Sequence, residues 1–229
     1  MPYKGDCILG PRKWVRKQSG PRETGALLIT RKRGMARVAV FVDGANMFYS
    51  QKKALFFIDY KRVREHFTQG HEFFKAFFYV GSNAPPAVED KKFQDFLIYQ
   101  AGFTVRTKPV KQIFDEETGE PRQKCNLDIE IAVEMFKEIE HYDTAILMSG
   151  DGDFESVVEL LRSRGKLVEV VASRQMLARE LANAAHRIHY LEEIRPYIER
   201  QDRSYGSPRK ATPPVAAPPT GEPSQSPNE

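Results

Sequence analysis

Between residues 36 and 200, short apolar runs alternate with longer segments in which apolar positions recur every three or four residues. Most of the short runs are apolar nearly throughout, which is typical of strands buried on both faces of a parallel sheet. They are RVAVFVDG (37–44), FFKAFFYVG (73–81), FTVRTKPVKQIF (103–114), TAILMSGD (144–151) and KLVEVVAS (166–173). The pattern predicts a three-layer α/β fold with a mainly parallel sheet of about five strands.

The longer segments have the periodicity of amphipathic helices, which would cover both faces of this sheet. They are MFYSQKKAL (47–55), DYKRVREHF (59–67), VEDKKFQDFLIYQAG (88–102), NLDIEIAVEMFKEIEHY (126–142), FESVVELLRSRG (154–165) and RQMLARELANAAHRI (174–188). Before the fourth of these, DEETGEPRQK (115–124) carries a Thr-Gly turn and predicts a short hairpin.

Composition separates both ends of the chain from this folded domain of residues 36–200. Residues 1–34 hold nine Lys/Arg and two Asp/Glu, a net charge of +7, whereas residues 35–229 hold 26 and 29, a net charge of −3. We expect a basic, disordered leader over residues 1–35, which could instead contact nucleic acid, and Met35 is a candidate natural start. The Pro/Ser-rich residues 201–229 predict a disordered tail that could dock on a protein partner.

Missing features argue against several protein classes. No apolar run approaches the roughly 18 residues that a membrane span needs. Cys7 and Cys125 have neither CxxC nor zinc-site spacing, so a reduced, cytoplasmic protein is the simplest interpretation. The sequence contains no GxxxxGK[ST] or GxGxxG motif, which argues against nucleotide-loop enzymes.

Four aspartates stand where predicted strands end or helices begin. Asp43 and Asp151 follow strands, Asp153 opens the next helix, and Asp128 begins the helix after the hairpin. Carboxyl ends of parallel strands share one edge of a sheet, where ligands bind in open α/β folds. Carboxylates gathered there would repel each other unless a cation compensated them, and Mg²⁺ or Mn²⁺ prefers such oxygen ligands. The sequence therefore predicts a divalent-metal site built from these four residues.

Each aspartate also has a purely structural explanation. Asp128 and Asp153 could cap their helices, and Asp43 with Gly44 could form an ordinary turn. Asp151 is hardest to explain in this way, because a solvent-facing turn does not need a second acid beside Asp153.

Three further residues near these acids could support the site. Asn46 could hold a carboxylate or a substrate phosphate, or it could cap the helix that begins near Met47. Ser149 could donate a hydrogen bond to a carboxylate. Glu134, six residues after Asp128, could face the same cleft or be solvated.

A phosphate backbone crossing an acidic centre needs positive charge nearby. The candidates are basic residues in and near the predicted hairpin, with an ordinary solvated loop as the alternative: Arg106, Lys108, Lys111, Arg122 and Lys124. Phe48 or Tyr49 could stack on bases of a single strand, with packing in the core as the alternative.

Three segments, with the spacing between them, resemble the NYN domain and in particular its LabA-like group: VFVDGANMF (40–48), NLDIEIAVEM (126–135) and YDTAILMSGDGDFESVVELLRSRGKLVEVV (142–171). The resemblance covers roughly residues 36–195 and implies a PIN-like (Rossmannoid) fold, similar to that of metal-dependent ribonucleases. It also implies acidic site positions at Asp43, Asp128, Asp151 and Asp153, with Glu134 at a further one. Many members have an Ala-Asp pair in the last helix where this chain reads Ala185-His186, and metal binding would be weaker here if that acid helps to build the site.

Two functions remain open at the level of sequence. The leading hypothesis is a ribonuclease in which a metal-activated water hydrolyses a phosphodiester bond, with Asp153 or Glu134 taking the proton of that water. The alternative is a non-catalytic module that binds RNA or a protein partner through the same cleft.

Overall fold

Six parallel strands form the central sheet of the computed structural model, which describes residues 35–83, 85–114 and 121–201. In chain order the strands of this sheet and of a hairpin are β1 (Arg37–Asp43), β2 (Glu72–Ser82), β3 (Thr104–Pro109), β4 (Lys111–Phe114), β5 (Pro121–Lys124), β6 (Thr144–Met148), β7 (Leu167–Ala172) and β8 (Arg187–Tyr190). The sheet order is β3-β2-β1-β6-β7-β8, and β4 pairs antiparallel with β5. The predicted α/β class is confirmed, with six strands in place of about five, and the predicted hairpin is the β4–β5 pair.

Seven α-helices accompany these strands in the described part of the chain. They are α1 (Gly44–Ala54), α2 (Tyr60–Thr68), α3 (Val88–Asp95), α4 (Asp128–Lys137), α5 (Glu155–Ser163), α6 (Arg179–Ala184) and α7 (Leu191–Ile198). A π-helical segment, Phe96–Ala101, extends α3, and 3₁₀ turns follow α4 and precede α5.

Alternate side chains of β1 enter two hydrophobic clusters, one on each face of the sheet. Val38, Val40 and Val42 belong to the cluster that includes residues of α1, α2 and α7. Ala39 and Phe41 belong to the cluster that includes residues of α4, α5 and α6. Burial on both faces explains why this strand is apolar along its whole length.

The predicted last helix is shorter than its sequence pattern indicates. It was expected to run to Ile188, but α6 ends at Ala184 and β8 begins at Arg187. The amide of His186 donates to the carbonyl of Val168 at 2.9 Å, and the Val168 amide donates to His186 Nδ1 at 3.1 Å. These bonds start the pairing of β8 with β7, so tertiary pairing overrides the helical periodicity.

The sheet has a topological switch point between β1 and β6. The chain builds β1, β2 and β3 outward in one direction, then returns so that β6 pairs with the free side of β1. The connections leaving β1 and β6 therefore diverge at their carboxyl ends and leave a crevice there, which is where open α/β sheets bind ligands.

The expected leader and tail lie outside the described residues, apart from the few that adjoin the domain. Within the described chain, none of the helices combines the length and the apolarity that crossing a membrane requires.

Candidate metal centre

Asp43 is the last residue of β1 and is nearly buried, with 8% of its surface exposed. Its Oδ1 accepts the amide proton of Asn46 at 3.0 Å, and its Oδ2 accepts the hydroxyl proton of Ser149 at 3.1 Å. Asp43 is therefore the N-cap of α1 rather than part of a simple turn.

Asn46 joins the loops that follow β1 and β6. Its Oδ1 accepts the amide proton of Gly150 at 3.1 Å and the hydroxyl proton of Ser50 at 3.3 Å. The Asp151 amide in turn donates to Ser149 Oγ at 3.2 Å. Asn46 and Ser149 thus fix the position of the backbone that carries Asp151, and the helix-capping role considered for Asn46 belongs to Asp43.

Three of the four predicted acids converge beside this junction. One carboxylate oxygen from each of Asp128, Asp151 and Asp153 lies within 4.8 Å of the others. Asp128 is the first residue of α4, whereas Asp151 and Asp153 belong to the loop and 3₁₀ turn after β6. Asp43 is not one of the three, although its charge acts on both Asp128 and Asp151.

The capping roles differ from the sequence alternatives. Asp151 Oδ1 accepts the amide proton of Asp153 at 3.1 Å, so Asp151 caps the 3₁₀ turn. Leu127 occupies the N-cap position of α4 and makes no side-chain cap bond, which leaves the Asp128 carboxylate free of that role. Instead, the Asp128 amide donates to Oδ1 of Asn126 at 2.9 Å. Asn126 was missed by sequence reasoning, although an Asn side chain that accepts the backbone amide proton two residues further on is a known turn pattern.

Burial and mutual repulsion make the ionised acids unfavourable in the absence of a cation. Burial raises the pKa of Asp43, while hydrogen bonds from Asn46 and Ser149 oppose the shift. Burial likewise raises the pKa of Asp128. A hydrogen bond with Asn126 opposes this second shift, and the charges of the other three aspartates add to it.

This donor set fits a hard divalent cation. Its ligands are all carboxylate oxygens, which Mg²⁺ and Mn²⁺ prefer, and Mg²⁺ keeps several waters, so three carboxylates are sufficient. We therefore identify Asp128, Asp151 and Asp153 as the residues that could hold a metal ion.

Binding of Mn²⁺ should stabilise the fold through these three residues. At a Mn²⁺ concentration 100 times its Kd, we expect about 2.7 kcal/mol of added stability and a Tm increase of roughly 5–10 °C. Differential scanning fluorimetry checks this, and EDTA should reverse the increase. Asp153→Asn should reduce the increase, whereas Asp90→Asn, which removes an exposed acid on α3, should keep it. Equal increases in both variants would contradict the site.

Gly150 is required because two backbones come close together, not because of its φ angle. A Cβ at Gly150 would lie 2.3 Å from the carbonyl oxygen of Met176, and the Ala178 amide donates to the Gly150 carbonyl at 2.9 Å. The segment before α6 therefore packs against the loop that carries Asp151. A Cβ at Gly152 would lie 3.2 Å from the methyl group of Ala178 and 3.9 Å from Oε2 of Glu180, so it would meet side chains and no backbone.

Glu134 and Arg106 were predicted to act separately but form an ion pair. Arg106 Nε lies 2.6 Å from Glu134 Oε2, and Arg106 Nη2 lies 2.7 Å from Oε1. The hydrogen-bonded guanidinium lowers the pKa of Glu134, and Glu134 is not one of the three clustered acids. Six residues correspond to about 240° around a helix, so Glu134 and Asp128 face different directions.

The other predicted basic residues have varied surroundings. Lys108 pairs with Glu130 at 2.7 Å and donates to the carbonyl of Asn126 at 2.9 Å. Lys111 is exposed on β4. Arg122 and Lys124 lie on β5, and their side chains are outside what the structure describes.

Glu134→Gln should lower the free energy of unfolding by about 1–2 kcal/mol at pH 7, after allowing for solvent screening of the partly exposed Arg106. Because the folded-state pKa of Glu134 is lowered, its contribution is present above the unfolded-state pKa and is lost as pH falls through the folded-state value. The difference from wild type should therefore shrink below about pH 5. Urea unfolding across pH measures it, with the exposed Glu65→Gln on α2 as control. A variant as stable as wild type at neutral pH would show that the pair contributes nothing.

His186 lies away from the acidic centre. Its contacts with Val168 lie at the amino end of β7, whereas the acids lie at the carboxyl ends of β1 and β6 or at the start of α4. Residue 186 therefore lies at the opposite end of the strands from the acids, and the condition under which His186 would weaken metal binding, that residue 186 helps to build the site, is not met.

Comparisons with known proteins agree with this architecture. Residues 37–192 match the NYN domain. The chain is 43% identical over 171 residues to the "Low amplitude and bright protein LabA" of Synechococcus elongatus, which covers 73% of this chain and 90% of that protein. A crystal structure of a protein of unknown function from Vibrio parahaemolyticus aligns with a TM-score of 0.59 and 25% identity, covering 72% of this chain and 96% of that one. The chain therefore belongs to the NYN domain family.

Proposed function

We propose that this protein is a divalent-metal-dependent ribonuclease that hydrolyses phosphodiester bonds at the carboxyl edge of its sheet. The observation that carries this proposal is the convergence of Asp128, Asp151 and Asp153, from two distant segments, within 4.8 Å at the switch point. Membership of the NYN domain family, whose fold is PIN-like, supports a nuclease over other metal-dependent enzymes.

The three clustered acids and Asp43 have different roles in this proposal. Asp128, Asp151 and Asp153 would hold Mg²⁺ or Mn²⁺ directly. A bound ion would lower the pKa of a coordinated water and offset negative charge on the scissile phosphate. Asp43 adds a fourth negative charge beside them. Its hydrogen bond from Ser149 helps to hold the loop after β6 in place, and its hydrogen bond from the Asn46 amide caps α1. The remaining lone pairs of the Asp43 carboxylate would accept hydrogen bonds from water in the cleft.

Asp153 is our candidate for the base that takes a proton from the attacking water. It is an exposed member of the cluster, whereas both oxygens of Glu134 are bonded to Arg106. The Ser149 hydroxyl donates to Asp43 and accepts the Asp151 amide proton, so it is used in holding the loop. Ser149 and Asn46 would act by positioning Asp151.

We further propose that the substrate is single-stranded RNA in the cytoplasm. The carboxyl edge must attract a polyanion despite its acids, and Lys111, Arg122 and Lys124 are the hairpin residues proposed for this role. Arg106 and Lys108 would contribute only their remaining donors, because each is paired with an acid of α4.

A cleavage assay tests the ribonuclease directly. The purified protein should cut a fluorophore-quencher RNA in the presence of Mn²⁺ or Mg²⁺, lose that activity in EDTA, and regain it when Mn²⁺ is restored. Cleavage of a DNA strand of the same sequence, measured in parallel, tests whether the substrate is RNA. Binding of Mn²⁺ without cleavage of either strand would reject the nuclease in favour of a non-catalytic binding module.

A further inference from the structure

The outer face of α1 carries two aromatic side chains that the core does not use. Phe48 is 41% exposed and Tyr49 is 57% exposed, whereas Met47 and Ser50 of the same helix are buried. The rings of Phe48 and Tyr49 lie 5.4 Å apart with an interplanar angle of 75°. Core packing therefore explains neither residue.

A lysine ammonium group lies over this aromatic pair. Lys52 Nζ is 4.1 Å from the centre of the Phe48 ring and 5.8 Å from that of the Tyr49 ring. Lys53 follows it, and α1 contains no Asp or Glu. The face is thus aromatic and positively charged without an opposing charge on its own helix. This combination matches the bases and the phosphates of a nucleic-acid strand.

The location of this face links it to the metal centre. Asp43 caps α1, and Phe48 follows Asp43 by five residues. At about 1.5 Å per residue, Phe48 lies roughly 7.5 Å from Asp43 along the helix axis. A strand whose phosphate sits at the carboxyl edge could therefore place a neighbouring base on this helix.

We propose that Phe48 and Tyr49, together with Lys52, form a stacking platform for the bases of single-stranded RNA, and this rests on the proposed ribonuclease function for its substrate. A base that stacks on Phe48 displaces the Lys52 ammonium group from the ring. An exposed cation–π contact is weak compared with base stacking, and the released ammonium group can pair with a phosphate. The exchange therefore favours the bound strand.

Fluorescence anisotropy in EDTA measures binding without cleavage, using a labelled oligouridylate of about ten nucleotides and an abasic strand of equal length. Wild-type protein should bind the base-bearing strand more tightly. Phe48→Ala and Phe48→Leu should each weaken that binding by roughly tenfold and leave binding of the abasic strand unchanged. Lys52→Ala should weaken binding of both strands. Because Phe48→Leu retains an apolar side chain, a loss of RNA binding in this variant reports on the aromatic ring itself. Tyr99→Ala, on the π-helical segment, removes another exposed aromatic residue and should have no effect.

Three results would overturn the platform. The first is a wild-type protein that binds the base-bearing and abasic strands equally, and the second is a Phe48→Leu variant with wild-type affinity for the base-bearing strand. The third is a dimer, detected by light scattering, that Phe48→Ala dissociates without a change in RNA binding. Failure of the nuclease is separable from these. If the wild type does not cleave RNA but binds it in a Phe48-dependent way, the platform stands alone. If the Phe48 variants bind and cleave normally, only the platform fails.

Discussion

Asp151→Asn is expected to reduce Mn²⁺-dependent RNA cleavage at least 100-fold. The substitution keeps the shape of the side chain and an oxygen that can accept the Asp153 amide proton, so the loop should remain folded. It removes one of three charges that would hold the cation, and metal coordination supplies several kcal/mol of transition-state stabilisation, with tenfold in rate for each 1.4 kcal/mol. Initial rates at saturating Mn²⁺, together with Mn²⁺ titration by calorimetry, measure both effects.

Asp90→Asn is the matched control, because it removes the same charge from an exposed site on α3 and should retain wild-type rates. Activity that persists in Asp151→Asn at the wild-type level would indicate either a contaminating nuclease or a reaction centre elsewhere. Co-elution of activity with the protein through two columns separates these explanations, and the second of them would reject the proposed site.

Gly150→Ala should lower the free energy of unfolding by about 1–3 kcal/mol and also weaken Mn²⁺ binding. The new methyl group would lie 2.3 Å from the Met176 carbonyl oxygen, and neither backbone can move without disturbing the hydrogen bond between the Ala178 amide and the Gly150 carbonyl. Any displacement of this loop carries Asp151 with it. Urea unfolding and Mn²⁺ titration measure the two consequences.

Gly152→Ala provides the comparison within the same loop. Its added methyl group meets a side-chain methyl group at 3.2 Å, so a small shift can relieve the contact, and we expect a change below about 1 kcal/mol. If the two alanine variants are equally stable, close packing against Met176 does not explain the glycine at residue 150.

The strands and the strand-end acids could be predicted because they depend on local signals. Because β1 and β6 are buried on both faces, each has a continuous apolar run in the sequence. The carboxyl ends of parallel strands share one edge of the sheet, which brings Asp43 and Asp151 to one region. The start of β8 could not be predicted in this way, since Ala184, Ala185 and Ile188 fit a helical period as well as a strand. Only pairing with β7 decides between them.

The pairing of charged side chains could not be predicted from the sequence either. Arg106 is suited to a phosphate and Glu134 to a metal, yet the fold pairs these two side chains, one from β3 and one from α4, with each other. In the same way, no local pattern indicates that Met176 lies against Gly150, since this contact depends on how α6 packs. Charges on distant segments can be listed from sequence, but their pairing requires the fold.

The return of the chain to β1 also has a consequence for synthesis on the ribosome. Asp43 and Ser149 are 106 residues apart, and their hydrogen bond needs β6 to insert beside a strand made much earlier. Such distant pairing is slow, because a long loop must close before its contacts form. A nascent chain that ends before β6 therefore lacks Asp151 and Asp153 altogether, so any catalysis begins only after most of the domain has emerged.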